Sequence, residues 1–265
     1  MLWCTHCRMK RHKSHQTMTV PGRGQVSPLQ SGCLSGCGLT RMMYNAGMSQ
    51  LPLFPLNTVL FPGQMLPLHI FEPRYRQMIG ECVERGTPFG VVLIRDGDEV
   101  GDPNTEPYDV GTTAHIVQVE RLEDGRLNII CVGNSRFRIQ RTLRDHDYLR
   151  GEIELWPWLP YAAQPDEQQM ATIRSRLDRY VKLLAEITQT DIQVDVPTEP
   201  AKLANIAASV LQIETEEKQQ LLTTASIGDL LEQVSPLLQR ELRALQIMHG
   251  SRQKPPEELT PFSMN

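Results

Sequence analysis

Residues 51 to 75 read LPLFPLNTVLFPGQMLPLHIFEPRY. Five prolines, Pro52, Pro55, Pro62, Pro67 and Pro73, stand among side chains apolar enough for a core. Proline cannot donate to a β ladder, so within sheets it is confined to edges, strand starts and bulges. A run that is both apolar and broken by proline is expected to form short, bent strands of a small barrel. LPLFPL and MLPLHIF are read as those strands, with VLFPGQM (59–65) as the turn between them. The prolines fix φ, lower the entropy of the unfolded chain and blunt an edge against stray strands.

The pattern then changes period. Tyr75, Met78, Ile79, Cys82 and Val83 recur at three and four residues, with Pro73 suited to a first turn and Gly86 to the position past the end, which predicts a helix with one buried face. Strand-like runs follow at 88–95, 111–122, 126–132, 137–143 and 148–156, and Asp124-Gly125 carries a tight hairpin signal. Residues 96–109 are polar and rich in Gly and Pro, as expected of a surface loop. Asp96, Asp98, Glu99 and Asp102 within it lack the glycine and terminal glutamate of a calcium hand.

Beyond WPWLPYAAQPD the apolar residues take a helical period. Met170, Ile173, Leu177, Tyr180, Val181, Leu184 and Ile187 predict a long amphipathic helix, and 197–213 a second. TEEKQQLLTT predicts a short third, and Ser226-x-x-Asp229 reads as a capping box opening a fourth, which Pro236 should kink or end. Four helices with mostly short joints indicate a bundle. The fold class expected is α+β, a β pseudo-barrel with one helix at 48–160 followed by an α-helical bundle at 161–250, with a disordered tail at 251–265.

Charge divides the chain unevenly. Residues 1 to 47 carry six basic and no acidic side chains, while the remaining 21 basic and 31 acidic residues leave −10. The basic part holds Cys4, Cys7, Cys33 and Cys37 with His6, His12 and His15 nearby. That spacing could ligate zinc, but no periodic element lies between the pairs to build a knuckle. A secretory signal would need an apolar core that the segment lacks. The segment is therefore read as a disordered extension, or as sequence upstream of a start at Met48. Cys82 and Cys131 sit in apolar patterns and are expected to be buried thiols in a reducing cytoplasm. No window is long and apolar enough for a membrane span.

LPLFPLNTVLFPGQMLPLHIFEPRYRQMI resembles the opening of the Lon protease N-terminal, or substrate-binding, domain. GRLNIICVGNSRFRI is similar to its later hairpin, and PAKLANIAASVLQIETEEKQQLL to its helical part. The resemblance spans roughly residues 50 to 248 and implies a PUA-like pseudo-barrel, followed by helices, that recognises protein substrates or partners. Lon's catalytic domains have no counterpart in the motifs here: the sequence contains neither the phosphate-cradling G-x-x-x-x-G-K-[ST] nor a G-x-S-x-G elbow. The reading is a non-catalytic member of that family with no cofactor, for which a peptidase name would describe ancestry.

Candidate sites follow from what protein capture requires, namely exposed apolar surface with a polar rim. Phe61 and Met65 in the VLFPGQM turn, and Trp156 and Trp158 at the junction of barrel and bundle, are the apolar candidates, with Glu72 and Arg74 as rim. Partners are expected to be protein or peptide segments, with a separate protease or ATPase collecting what is bound. His69, His115 and His146 are read as structural or solvated. RNA is the alternative partner, because PUA-like barrels bind it and because Arg136, Arg138, Arg141, Arg144 and Arg150 lie near Phe137 and Tyr148. The −10 of the body opposes phosphate and makes nucleic acid the weaker reading.

Overall fold

In a computed structural model of the protein, the residues described are 49–98, 105–159, 166–190 and 195–253. They form β1 (Ser49–Leu56), β2 (Met65–Ile70), α1 (Pro73–Arg85), β3 (Phe89–Asp96), β4 (Glu106–Arg121), β5 (Leu127–Leu143), β6 (Arg150–Leu155), α2 (Glu167–Thr188), α3 (Pro200–Val210), α4 (Thr215–Leu222) and α5 (Ile227–Gln253). The strands make one mixed sheet in the order β2-β5-β4-β3-β1-β6, and a further β5–β6 pairing closes it into a barrel. This is an α+β fold, with β2 left outside the closed ring.

The prolines fall where the pairing is incomplete. β1 changes partner halfway: Ser49–Pro52 pair with β6, and Leu53–Leu56 pair in parallel with β3. Pro52 and Pro55 therefore each lie in a half-strand with one ladder instead of two. β2 pairs with β5 alone. Gly133 N donates to Gln64 O at 2.9 Å, so in the antiparallel register Gln64, Leu66, Leu68 and Ile70 turn their backbone groups to β5. Met65, Pro67 and His69 turn theirs to the open side, where Pro67 forfeits no ladder bond.

Three apolar clusters fill the interior. Phe54, Ile70, Tyr75, Met78, Ile79, Phe89 and Ile129 pack between the sheet and α1. Leu51, Leu53, Val92, Phe137 and Ile153 fill the ring near β6. The third joins the two halves, since Val59, Phe61, Leu93 and Val110 of the barrel pack with Ile173, Leu177, Tyr180, Leu203, Leu230 and Leu238 of the bundle. Barrel and bundle thus share a core and belong to one compact unit.

α1 begins at Pro73 and is closed by Gly86 at φ 63°, as its sequence signals predict. The Ser226–Asp229 box forms: Asp229 N donates to Ser226 Oγ at 3.1 Å and Ser226 N to Asp229 Oδ2 at 3.1 Å. Three expectations need correction. β4 starts at Glu106, inside the expected loop, because Pro107 and Val110 are buried and Ile94 and Asp96 of β3 supply partners. The runs at 126–132 and 137–143 are one strand, since Gly133 and Arg136 stay in the ladder with β4 across a register shift. α5 continues through Pro236, so of the two expected effects the proline does not end the helix. Both Pro236 and Glu232, whose carbonyl the proline leaves without its amide, are exposed, so water can satisfy that carbonyl.

Candidate protein-binding surface

The six candidate residues separate into two places. Met65, Glu72 and Arg74 lie along β2 and the start of α1. Phe61, Trp156 and Trp158 lie at the junction between barrel and bundle.

Phe61 is fully buried and is a core residue, not a contact offered to a partner. Its turn is held down from three sides. Phe61 N donates to Gln64 Oε1 at 3.0 Å, Thr112 Oγ1 donates to Leu60 O at 2.6 Å, and Gly63 N, at φ 83°, donates to Gly133 O at 2.8 Å. Gly133 is required for this approach, since a Cβ there would stand 2.4 Å from the Phe61 carbonyl oxygen. Val59 and Phe61 of the turn are thereby folded onto the bundle, and burial of the phenylalanine ring contributes about 2–3 kcal/mol.

The tryptophans are used in a stack. Arg138 lies over the Trp156 ring at 4.3 Å, Arg136 over the same ring at 4.3 Å, and Arg136 over Trp158 at 3.2 Å. Residues i and i+2 on β5 and after β6 thus alternate as a ladder of four planar groups. Arg136 is 1% exposed and donates through Nη1 to the carbonyls of Leu222 (2.7 Å) and Thr224 (2.8 Å), at the C-terminal end of α4. Leu159 N then donates to Ala225 O at 3.1 Å, and Gln219 Nε2 to Val110 O at 2.9 Å. The junction is a seam that fixes the bundle to the barrel.

The surface at β2 is different. Met65 is 61% and Phe71 47% exposed, and Pro67 and His69 are exposed between them. His69 and Phe71 stack at 6.2 Å and 25°. Beside them opens a cleft of about 170 Å³, lined by Phe54 and Leu56 of β1, by Pro67, Leu68, Phe71 and Glu72, and by Tyr75 of α1. It lies where neither strand is bonded across: β1 is paired toward β3 and β2 toward β5. Glu72 and Arg74 pair at 3.0 Å, each about four-fifths covered, and the Arg74 guanidinium sits 4.6 Å over the Tyr75 ring. His69 Nδ1 is 2.7 Å from Asn128 Oδ1, and its Nε2 is 3.3 Å from Arg126. An apolar strip with an ordered polar border results. Sequence reasoning named Met65, Glu72 and Arg74 but passed over Phe71, Pro67 and the cleft; the period-two alternation of MLPLHI, continued to Phe71, was the signal that could have found them.

The arginines expected as a nucleic-acid platform are otherwise engaged. Arg136 is buried, Arg141 pairs with Glu152 at 2.9 Å, Arg150 pairs with Asp145 at 3.0 Å, and Arg144 donates to Thr105 O at 3.1 Å. Among the described residues no group of three or more His, Cys, Asp or Glu could hold a metal ion, and no helix is long and apolar enough to cross a membrane. The cysteines and histidines of the basic segment lie outside the described residues, as do Glu99 and Asp102. Cys82 and Cys131 are buried free thiols, and burial pushes the Cys131 thiol up to about 11.

Comparison with known proteins agrees with this architecture. The family model described as the ATP-dependent protease La (LON) substrate-binding domain matches residues 50–240, and the chain belongs to that family. The Lon protease of Anaeromyxobacter dehalogenans is 28% identical over 200 residues, 74% of this chain and 24% of that protein. The Lon protease of Paraburkholderia phytofirmans is 29% identical over 211 residues, 76% of this chain and 26% of that protein. The chain spans about a quarter of the length of these relatives. Among solved structures, a Lon N-terminal domain protein from Xanthomonas campestris aligns with a TM-score of 0.56 at 29% identity, covering 71% of this chain and 97% of that one. The N-terminal domain of Mycobacterium avium complex Lon protease aligns at 0.54 with 19% identity, over 72% of this chain and 98% of that one, a likeness of fold.

Proposed function

We propose that this chain is a non-catalytic, cytoplasmic protein-binding module that captures exposed apolar segments of other proteins at the β2 edge. The observation that carries this reading is the run of Met65, Pro67 and Phe71 beside the apolar cleft floored by Phe54, Leu56 and Tyr75. Exposed apolar groups gathered at one place cost solubility and mark interaction surfaces. The open side of β2 adds main-chain acceptors at Met65, Pro67 and His69 and donors at Met65 and His69, so an extended segment could lie along it while a side chain enters the cleft. Pro67 would deny one bond, which favours short, weakly held segments over permanent sheet growth. Membership of the substrate-binding family supports a recognition role, and transfer of captured protein to a separate protease or ATPase is part of the proposal.

The test is binding of a reduced and carboxymethylated, permanently unfolded protein against its native form, measured by fluorescence anisotropy. Preference for the unfolded form, reduced at least tenfold in a Met65→Asp/Phe71→Asp variant, supports the reading. Equal binding of both forms, or no effect of the variant, overturns it.

A further inference from the structure

Among the described residues Arg136 is the largest fully buried side chain, and none of them offers it a carboxylate partner. A guanidinium has two useful edges. The Nη1 edge is taken by the carbonyls of Leu222 and Thr224. The other edge, where the Nε and Nη2 hydrogens lie side by side, is the fork that grips a carboxylate or similar anion with two parallel bonds. Both Nε and Nη2 are buried with no acceptor among the described residues. Trp158 Nε1, in the ring stacked 3.2 Å from the guanidinium carbon, is a third buried donor with no acceptor. Donors without acceptors, gathered around one buried positive charge, describe a binding site for something that only accepts.

The charge itself points the same way. Burying an unpaired ion is costly in proportion to its loss of water, and a buried cation is ordinarily matched by an anion. Here the flanking groups are two ring faces and the carbonyl end of α4, which offset part of that cost. The neighbouring charge that acts on Arg136 is another cation, Arg138. Burial and Arg138 push the guanidinium down to about 9, which still leaves it protonated at neutral pH.

We infer that the Nε–Nη2 fork of Arg136, with the indole N–H of Trp158, binds a small monovalent anion at the seam between barrel and bundle. The single guanidinium charge sets the valence. Arg136 is 1% exposed and lies against two tryptophan rings, which favours a small anion such as chloride or formate over a bulky one. The anion would steady the β5 arginine that holds the end of α4, so it should stabilise the folded chain by mass action.

Thermal unfolding of the full chain in sodium chloride, sodium formate and sodium gluconate at matched ionic strength tests this, gluconate being too large to enter. The expected result is a saturating rise of the midpoint with chloride or formate, by roughly 2–4 °C at high occupancy for a chain of this size, and no rise with gluconate. Chloride alone or formate alone would identify the ion. Trp158→Phe keeps the ring and removes the donor, and should raise the half-saturating concentration several-fold; Arg136→Gln should abolish the salt-specific rise. Identical midpoints in the three salts overturn the proposal, as would a crystal grown in bromide with no anomalous peak at the fork. A water joining the fork to the buried Gln219 Oε1 would give that negative outcome.

Discussion

The guanidinium carbon of Arg136 lies 3.2 Å from the centre of the Trp158 ring and 4.3 Å from that of Trp156. Arginines two apart on a strand and tryptophans two apart beyond the next strand thus become one alternating ladder, and its innermost arginine holds the end of α4.

The ladder should be uneven in strength. Arg138, its exposed outer member, has water as an alternative, so Arg138→Ala is expected to cost about 0.5–1 kcal/mol. Trp158→Ala removes the ring against a buried cation and is expected to cost about 2–4 kcal/mol. Chemical denaturation of the two variants checks the order.

Phe61 should behave as a folding residue. Phe61→Ala is expected to lose about 3–5 kcal/mol, the range for a buried phenylalanine. Gly133→Ala drives a methyl group into the Phe61 carbonyl and should cost about 1–3 kcal/mol through the same turn. In both variants the capture of unfolded protein should survive wherever the fold does.

A carboxylate on α1 gives the molecule an acid limit. The hydrogen bond from Gln77, and then that from Tyr148 Oη at 2.9 Å, hold Glu81 below its ordinary value of 4.5. A lowered folded-state pKa contributes stability that is present above pH 4.5 and is lost as pH falls through the folded value. Tyr148, pushed up to about 12 by burial and by Glu81, stays a donor throughout that window. The stability difference between the parent and Tyr148→Phe should therefore be flat above about pH 5 and shrink below it; urea titrations from pH 3 to 7 measure it.

Much of the fold was legible because local signals agreed with one another. Pro73 and Gly86 bracket α1, Asp124-Gly125 turns β4 into β5, and Ser226 with Asp229 opens α5. The prolines of the opening stretch forecast incomplete pairing, and Pro52, Pro55 and Pro67 sit at such places. What sequence could not supply was the fate of the turn at Phe61. Whether an apolar turn is offered or folded back depends on partners distant in sequence, here Thr112 and Gly133, and on an apolar patch of the bundle. The same holds for Arg136. Among five arginines in one basic run, nothing local distinguishes the one that tertiary packing encloses from those that meet Glu152, Asp145 or water. That the helix does not end at Pro236 has a related reason, since the cost of the proline depends on whether the orphaned carbonyl faces solvent.

The exposed strip should be separable from stability. Met65→Asp and Phe71→Asp each place a charge at a solvated position and should shift stability by no more than about 0.5 kcal/mol, while weakening capture. Paired denaturation and binding curves on the same samples check this.

The central claim is that captured protein lies along β2 beside the Phe54–Tyr75 cleft. The most direct measurement places a photo-crosslinking phenylalanine analogue at Phe71, and in a separate sample at Val117, which is 58% exposed elsewhere on the sheet. Each is irradiated with an unfolded protein and the products are mapped by mass spectrometry. The account predicts crosslinks from position 71 to apolar segments of the bound protein and few from position 117. Equal yields from the two positions, or a yield confined to 117, would contradict it.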